Sequence, residues 1–258
     1  MIELAEKTRQ PLVEYLLARG DDSLILGHRL SEWCGQAPIL EEDIALANLA
    51  LDCLGQAQAW LGLAGEIEAG GRSADDLAYF RDPIDFRNCL LVEQLNGDFA
   101  HTIVRQFFFA AARLELLRAL TSSRHPEVAG IAAKGLKEIV YHLRHAEQWV
   151  LRLGDGTEES RRRCQDAVHR LWRYTPELFE PGPGEAELTA EGLVPDVTLQ
   201  IDDFRARVSR TLKEATLELP EQMPTSRPGG AWGFHSEHLG HLLAEMQILA
   251  RSHPGVEW

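Results

Sequence analysis

Carboxylate and histidine side chains recur in segments of this chain that have the apolar spacing of long helices. In helical bundles that hold two iron or manganese ions, two helices each give a Glu and the other two each give a Glu-x-x-His pair, all pointing inward. A carboxylate-bridged metal pair is therefore the chemistry that these residue types would support. The six candidates for such a polar core are Glu32, Asp52, Gln56, Asp98, Glu138 and His142.

The spacing of these residues departs from the metal-binding pattern. The chain contains no Glu-x-x-His, and the only acidic residues three positions before a histidine are Asp98 and Asp166. Ile139 stands where a glutamate should precede His142. We therefore expect no catalytic residue, no cofactor and no metal in this chain, and we interpret the six candidates as a vestigial polar core. The cations that would replace the metal in it are Arg105, Lys134 and Lys137.

Charge and composition exclude several classes of partner. The 258 residues carry 26 Lys+Arg and 40 Asp+Glu, a formal charge of -14, which would repel nucleic acid and an anionic membrane surface. The chain has no apolar run long enough to span a membrane and no signal-peptide core near its start. Its four cysteines form no Cys-x-x-Cys, so we expect neither a zinc motif nor a disulfide framework. A cytoplasmic protein fits these features.

Apolar residues recur at helical spacing along the whole chain, and the pattern predicts an all-α bundle. We expect a weak point in the first helix at Gly20-Asp21-Asp22, short helical turns within 73–88, and a loop over 181–196. The proline- and glycine-rich stretch 220–233 could be a plain surface loop, a lid or a partner-binding segment. The predicted helices cover 11–34, 41–69, 97–122, 126–153, 157–179, 197–218 and 236–252.

The second predicted helix is apolar on two sides. One stripe consists of Leu40, Ile44, Ala47, Leu51 and Leu54. The other consists of Leu46, Leu49, Cys53, Ala57 and Trp60. A helix in a four-helix bundle needs only one buried face, so the excess predicts that further helices or a second protein cover this helix.

Several segments resemble the C subunits of bacterial ring 1,2-phenylacetyl-CoA epoxidases of the phenylacetic acid degradation family. The segments that carry the resemblance are GHRLSEWCG at 27–35, DIALAN at 43–48, LDCLGQA at 51–57, LVEQ at 91–94, YHLR at 141–144, SEHLG at 236–240 and LAEMQ at 243–247. They are spread over essentially the whole chain.

The resemblance implies a single ferritin-like domain over 1–258, with a core bundle over about 11–154 and additional helices over about 157–253. It further implies a structural, non-catalytic subunit that pairs with and stabilises a homologous subunit in which the di-iron centre lies. That partner would add one oxygen atom of O2 across the aromatic ring of phenylacetyl-CoA, with electrons from NADPH delivered by a reductase. The missing Glu-x-x-His agrees with this role.

Other interpretations remain open at this stage. The chain could itself be an oxygen-activating di-iron enzyme with Glu32, Asp52, Asp98, Glu138 and His142 as an unusual ligand set. It could also be a CoA-thioester binding module that uses 161–163, although these arginines suit helical ion pairs with 158–159. A weak metal site near His235, His238 and His241 is a third alternative to a helix start with packed histidines. The apolar surface could also support self-association.

Overall fold

The computed structural model describes residues 6–68, 70–224 and 229–256. Within these ranges the chain is helical and contains no β-strand, which confirms the all-α prediction. The α-helices are α1 (Glu6–Ser31), α2 (Leu40–Ile67), α3 (Ala74–Tyr79), α4 (Leu90–Glu93), α5 (Phe99–Leu120), α6 (Pro126–Gly154), α7 (Glu158–Leu171), α8 (Glu185–Ala190), α9 (Ile201–Glu214) and α10 (Glu237–Ser252). Short 3-10 turns occupy Pro83–Asp85, Trp172–Tyr174, Pro176–Phe179, Val197–Gln200 and Gly230–Trp232.

Two helical hairpins form the centre of the molecule. Helix α1 packs along α2, α5 packs along α6, and α2 lies against α6. A long crossover from the end of α2 to the start of α5 joins the hairpins and contains α3 and α4. Two hairpins with one long crossover are the ferritin-like form of the four-helix bundle. The later helices cover its outside, since α7 and α9 pack on α5 and α6, α8 on α1, and α10 on α3.

Aromatic side chains join the added helices to the bundle. The ring of Phe108 in α5 lies 5.6 Å from that of Trp172, and Trp172 stacks at 6.1 Å on Phe204 in α9. All three side chains are fully buried. Such ring pairs add to the free energy gained from burying apolar area. None of the described helices is both long and apolar enough to cross a membrane.

The predicted weak point at 20–22 is wrong, because α1 continues through it. Asp21 forms a buried ion pair with Arg81 of the crossover. Asp22 accepts a hydrogen bond from the backbone N–H of Cys89 at 2.8 Å. Residue types that favour turns in isolation are held in a helix here because their carboxylates satisfy buried donors of the crossover.

The loop predicted over 181–196 is also incomplete, since it contains α8. Gly184 precedes this helix with a φ of 76°, a backbone conformation that glycine adopts without strain. Leu188 of α8 is fully buried, so tertiary packing stabilises a helix of only 6 residues. The helix predicted over 157–179 ends at Leu171 and continues as two 3-10 turns. Part of the segment predicted as a loop or lid, 225–228, lies outside the described residues.

A buried carboxylate fixes the start of α10 to the crossover. Glu93 accepts hydrogen bonds from His235 Nδ1 at 2.5 Å and from the backbone N–H of Ser236 at 2.7 Å. His235 Nε2 lies 2.9 Å from the carbonyl oxygen of Phe86. Because both neighbours of the ring are acceptors, both ring nitrogens donate and the imidazole is charged. Burial lowers the pKa of His235, but the hydrogen bond and charge of Glu93 outweigh it and raise the pKa.

We predict that this ion pair makes the stability of the protein depend on pH. A histidine whose pKa is raised on folding contributes stability that is complete below its unfolded pKa, about 6.5, and is lost as the pH rises through its folded pKa. The free energy of unfolding in urea should therefore fall from about pH 6.5 upward, and His235→Gln should remove part of this fall.

Glu177 also makes stability depend on pH, and it does so equally in the wild type and in His235→Gln. The difference between the pH profiles of these two proteins therefore gives the contribution of His235. Burial raises the pKa of Glu177 to about 7. Circular dichroism of urea titrations at several pH values provides the measurement. Identical pH profiles for the two proteins would contradict a charged His235.

Candidate functional site

A row of polar pairs runs between α2 and α6, and we call it the α2–α6 seam. His145 Nε2 lies 2.8 Å from Glu42 Oε2, and His142 Nε2 lies 3.0 Å from Asp52 Oδ2. Gln56 Nε2 donates to Glu138 Oε2 at 2.9 Å. Successive residues of α2 meet earlier residues of α6, so the two helices are antiparallel. The members of the seam are Glu42, Asp52, Gln56, Glu138, His142 and His145.

The seam lies at the boundary between core and surface. His142 is fully buried, whereas 39% of the Asp52 side chain is exposed. The Nδ1 atoms of His142 and His145 are buried and have no hydrogen-bond partner among the described residues. Because Nδ1 makes no hydrogen bond, the orientation of each ring depends on the contact between its Nε2 atom and a carboxylate. Asp52 therefore determines how the His142 ring is held.

The donor set of the seam does not fit a di-iron centre. Each carboxylate is matched with one nitrogen-bearing side chain, and the three pairs follow one another along the helices. A carboxylate-bridged metal pair instead needs ligands from four helices to converge on one point. Across the ranges 6–68, 70–224 and 229–256, no three His, Cys, Asp or Glu side chains come together in a way that could hold a metal ion.

Two of the six predicted core residues lie away from the seam. Glu32, at the end of the first hairpin, accepts hydrogen bonds from Arg29 at 2.7 Å and Asn96 at 2.8 Å. Asp98 caps the start of α5 by accepting from the backbone N–H of His101 at 2.9 Å, and Arg163 lies 3.5 Å from it. The structure therefore does not bring these two together with the other four candidates. Asp52, Gln56, Glu138 and His142 all lie in the seam, and their description as a vestigial polar core stays a prediction.

The cation expected to compensate the carboxylates has a different role. Arg105 is fully buried, and it donates to the carbonyl oxygen of Gln94 at 2.5 Å and to Asn96 Oδ1 at 2.6 Å. Burial lowers the pKa of Arg105 to about 9. It ties the crossover to α5 instead of neutralising the seam. Lys134 and Lys137 are exposed on α6.

Glu42 and His145 belong to the seam, although neither is among the six candidates of the sequence. Glu42 stands about four helical turns before Gln56, which puts the two on the same side of α2. His145 follows His142 by three residues and so shares its side of α6. The signal that identifies this pair is therefore that each residue lies on the same side of its helix as another seam residue. Glu42 is easily overlooked because an acidic residue in the first turn of a helix is ordinarily explained by the helix dipole.

Beside the seam, three residues of the first predicted stripe of α2 are open to solvent, while Ala47 and Leu54 of that stripe are half-buried. Leu40, Ile44 and Leu51 are 73%, 55% and 65% exposed. They lie on one side of the helix, and we call them the α2 outer face. Tyr141 of α6 is also exposed, and its ring stacks at 6.5 Å on His145. The second stripe, by contrast, is entirely buried against the rest of the bundle.

The histidines near the C-terminal end do not form a metal site in the described structure. Both ring nitrogens of His235 are already committed, and His238 and His241 do not join other potential ligands at one point. The arginine run on α7 is largely neutralised. Arg162 and Arg163 both pair with Glu159, at 2.9 Å and 2.7 Å.

We predict that Asp52→Ala lowers the free energy of unfolding by about 1–3 kcal/mol, because it leaves the buried His142 Nε2 without an acceptor. Glu66→Ala is the matched control, since Glu66 lies on the same helix and is exposed. The control should change stability by less than about 0.5 kcal/mol. Urea titration of both variants tests this, and equal effects would show that the seam does not orient His142.

Comparison with known proteins identifies relatives of the whole chain. Residues 2–258 match the family model described as "Phenylacetic acid catabolic protein". The chain is also 47% identical over 247 residues to the C subunit of the 1,2-phenylacetyl-CoA epoxidase of Escherichia coli (strain K12), and the alignment covers 96% of this chain and 99% of that protein. Matches of this extent establish homology along the entire bundle, including the added helices. This chain belongs to the phenylacetic acid catabolic protein family.

Proposed function

We propose that this chain is a structural, non-catalytic subunit of a phenylacetyl-CoA 1,2-epoxidase in aerobic phenylacetate breakdown. Its role is to pair with a homologous subunit that carries the di-iron centre and to stabilise it. The E. coli relative is named as the C subunit of this epoxidase. The observation that carries the proposal for this chain is the α2 outer face, an apolar stripe on a long helix that the described part of the chain leaves uncovered.

Exposed leucines and isoleucines in a row are unusual on a protein that functions alone. Single exposed apolar residues are normal, but contiguous apolar patches mark sites of protein interaction. Leu40, Ile44 and Leu51 form such a row over three turns of α2. The polar seam beside the row supplies a rim, which resembles the arrangement of an interface with an apolar centre and a polar edge.

A partner of the same fold suits this surface. A homologous bundle has an equivalent second helix, and two such helices can lie side by side at the usual 8–10 Å packing distance. Each would then cover the apolar stripe of the other. Permanent interfaces of this kind are apolar and resemble a protein core cut in half.

The chemistry of the seam supports a role without catalysis. Its carboxylates are matched with nitrogen-bearing side chains in separate pairs. Iron and substrate chemistry would then belong to the partner subunit, while this chain contributes packing and orientation. The same surface could pair two copies of this chain when the partner is absent.

We place the protein in the cytoplasm. All four cysteines are free thiols, and three of them, Cys53, Cys89 and Cys164, are buried. Burial raises the pKa of Cys53 to about 12, so this thiol stays protonated and unreactive. Free buried thiols are usual in the reducing cytoplasm.

We predict that Leu51→Glu prevents assembly with the di-iron subunit. A carboxylate at the centre of an apolar interface would be desolvated without a partner, which costs several kcal/mol and corresponds to a loss of affinity of about 100-fold or more. The measurement is co-purification of the co-expressed subunits, followed by epoxidation of phenylacetyl-CoA. Leu199→Glu is the matched control, because Leu199 is 77% exposed but lies in the Val197–Gln200 turn, outside the α2 outer face.

The same experiment distinguishes the alternatives. Normal co-purification of Leu51→Glu would show that another surface contacts the partner. Epoxidation by the isolated wild-type chain would contradict the non-catalytic role. Size-exclusion chromatography of the isolated chain tests self-association. If the wild type is a dimer and Leu51→Glu is a monomer, self-association uses the same face as the proposed contact with the di-iron subunit.

A further inference from the structure

A concave surface lies where the start of α5, the end of α7 and the start of α10 meet. Its larger part is a cleft of about 650 Å³. A smaller cleft of about 220 Å³ adjoins it, and the two share Gly97, His101 and Arg170. Small-molecule sites commonly have volumes of about 300–1,000 Å³. None of the six seam residues lines either cleft, so this surface is separate from the proposed interface.

The larger cleft carries positive charge that the described chain does not neutralise, whereas Asp98 and Asp166 of the smaller cleft pair with Arg163 and Arg162. Arg170 and Arg173 line the larger cleft, and neither forms an ion pair with a carboxylate of residues 6–68, 70–224 or 229–256. The neighbouring Arg162 and Arg163 differ, since Glu159 pairs with both of them. The chain as a whole has a formal charge of -14, so two unpaired guanidinium groups in one concave site make this part of the surface positive in an otherwise negative protein.

Other groups on the walls could complement a ligand larger than a single anion. His101 Nδ1 is buried and has no hydrogen-bond partner among the described residues. Tyr174 provides an aromatic wall, and the Arg173 guanidinium lies 5.1 Å from the centre of its ring. Leu95 and His238 also line this cleft. The walls therefore combine cationic, hydrogen-bonding and aromatic surfaces.

We propose that this cleft binds the phosphate groups of a nucleotide-sized ligand, with Arg170 and Arg173 as the residues that contact the phosphates. The planar guanidinium group presents paired N–H donors that match the oxygens of a phosphate. Both guanidinium groups are exposed to solvent, so a ligand that enters the cleft can reach them. Tyr174 can stack on a base with the face of its ring that the Arg173 guanidinium does not cover, because every base has an aromatic face.

Two sources could supply this ligand. One is the nucleotide portion of a CoA thioester, and the other is a free nucleotide. Both present a diphosphate joined to adenosine, so the cleft would recognise the same chemistry in each. The proposal concerns the isolated chain and does not depend on the α2 outer face.

The test is isothermal titration of the full chain with CoA and, separately, with ADP at low ionic strength. We expect saturable binding to the wild-type protein. Arg170→Ala/Arg173→Ala should weaken it at least about tenfold, since hydrogen bonds to charged groups are worth about 1.5–3 kcal/mol and 1.4 kcal/mol is tenfold in affinity. Arg210→Ala/Lys213→Ala is the matched control, because it removes the same charge from exposed positions on α9.

The outcomes separate the two sources. Tighter binding of CoA than of ADP supports the proposal with the CoA thioester as ligand, and equal binding supports it with adenine nucleotides in general. Absence of binding to both, or equal weakening by the two double variants, overturns it. Arg170→Lys/Arg173→Lys is a second variant, which controls for loss of binding through misfolding. It keeps both positive charges and removes the paired N–H donors of the guanidinium groups. It should bind less tightly than wild type while melting at the same temperature.

Discussion

Helix α2 is apolar on two sides, and the described part of its own chain fully buries only one of them. Complete burial of a leucine or isoleucine side chain is worth roughly 1.5–3 kcal/mol. Leu40, Ile44 and Leu51 are already partly buried, so covering what remains exposed could supply roughly 3–6 kcal/mol to association. Joining two proteins costs at least about 4 kcal/mol of lost translational and rotational freedom, so an interface centred on these three residues would have to extend further. Tyr141, which is exposed and stacks on His145 of the seam, is a further aromatic surface that such an interface could include.

The seam shows how a ferritin-like bundle can hold carboxylates and histidines without forming a metal site. Each pair, such as Asp52 with His142, joins one carboxylate to one nitrogen-bearing side chain, and successive pairs lie about one turn apart along α6. A buried imidazole that already has a carboxylate acceptor gains no stability from a convergent arrangement. The pairs therefore specify how α2 and α6 align, a role attested for buried polar groups in other helical assemblies.

Much of the architecture could be predicted from the sequence, because apolar residues at helical spacing show which side of each helix is buried. The bounds of α2 and α6 differ from the expected ranges by at most two residues. The errors arose where tertiary contacts override local preference, as at Asp21 and Asp22, whose carboxylates satisfy donors of the distant crossover. Site prediction was harder. Residue type alone placed Glu32 in the core set, but only the three-dimensional structure shows that Arg29 and Asn96 hold it at the end of a hairpin.

The central claim is that this chain supports a di-iron enzyme without holding iron itself. The most direct test is the iron content of the purified chain, measured by elemental analysis after anaerobic loading with Fe(II) and desalting. Since the seam arranges its donors in pairs instead of a cluster, we predict an iron content near zero. A content of about two iron atoms per chain, the number that a bridged pair requires, would contradict this account. The chain would then have to be assayed as an oxygenase in its own right.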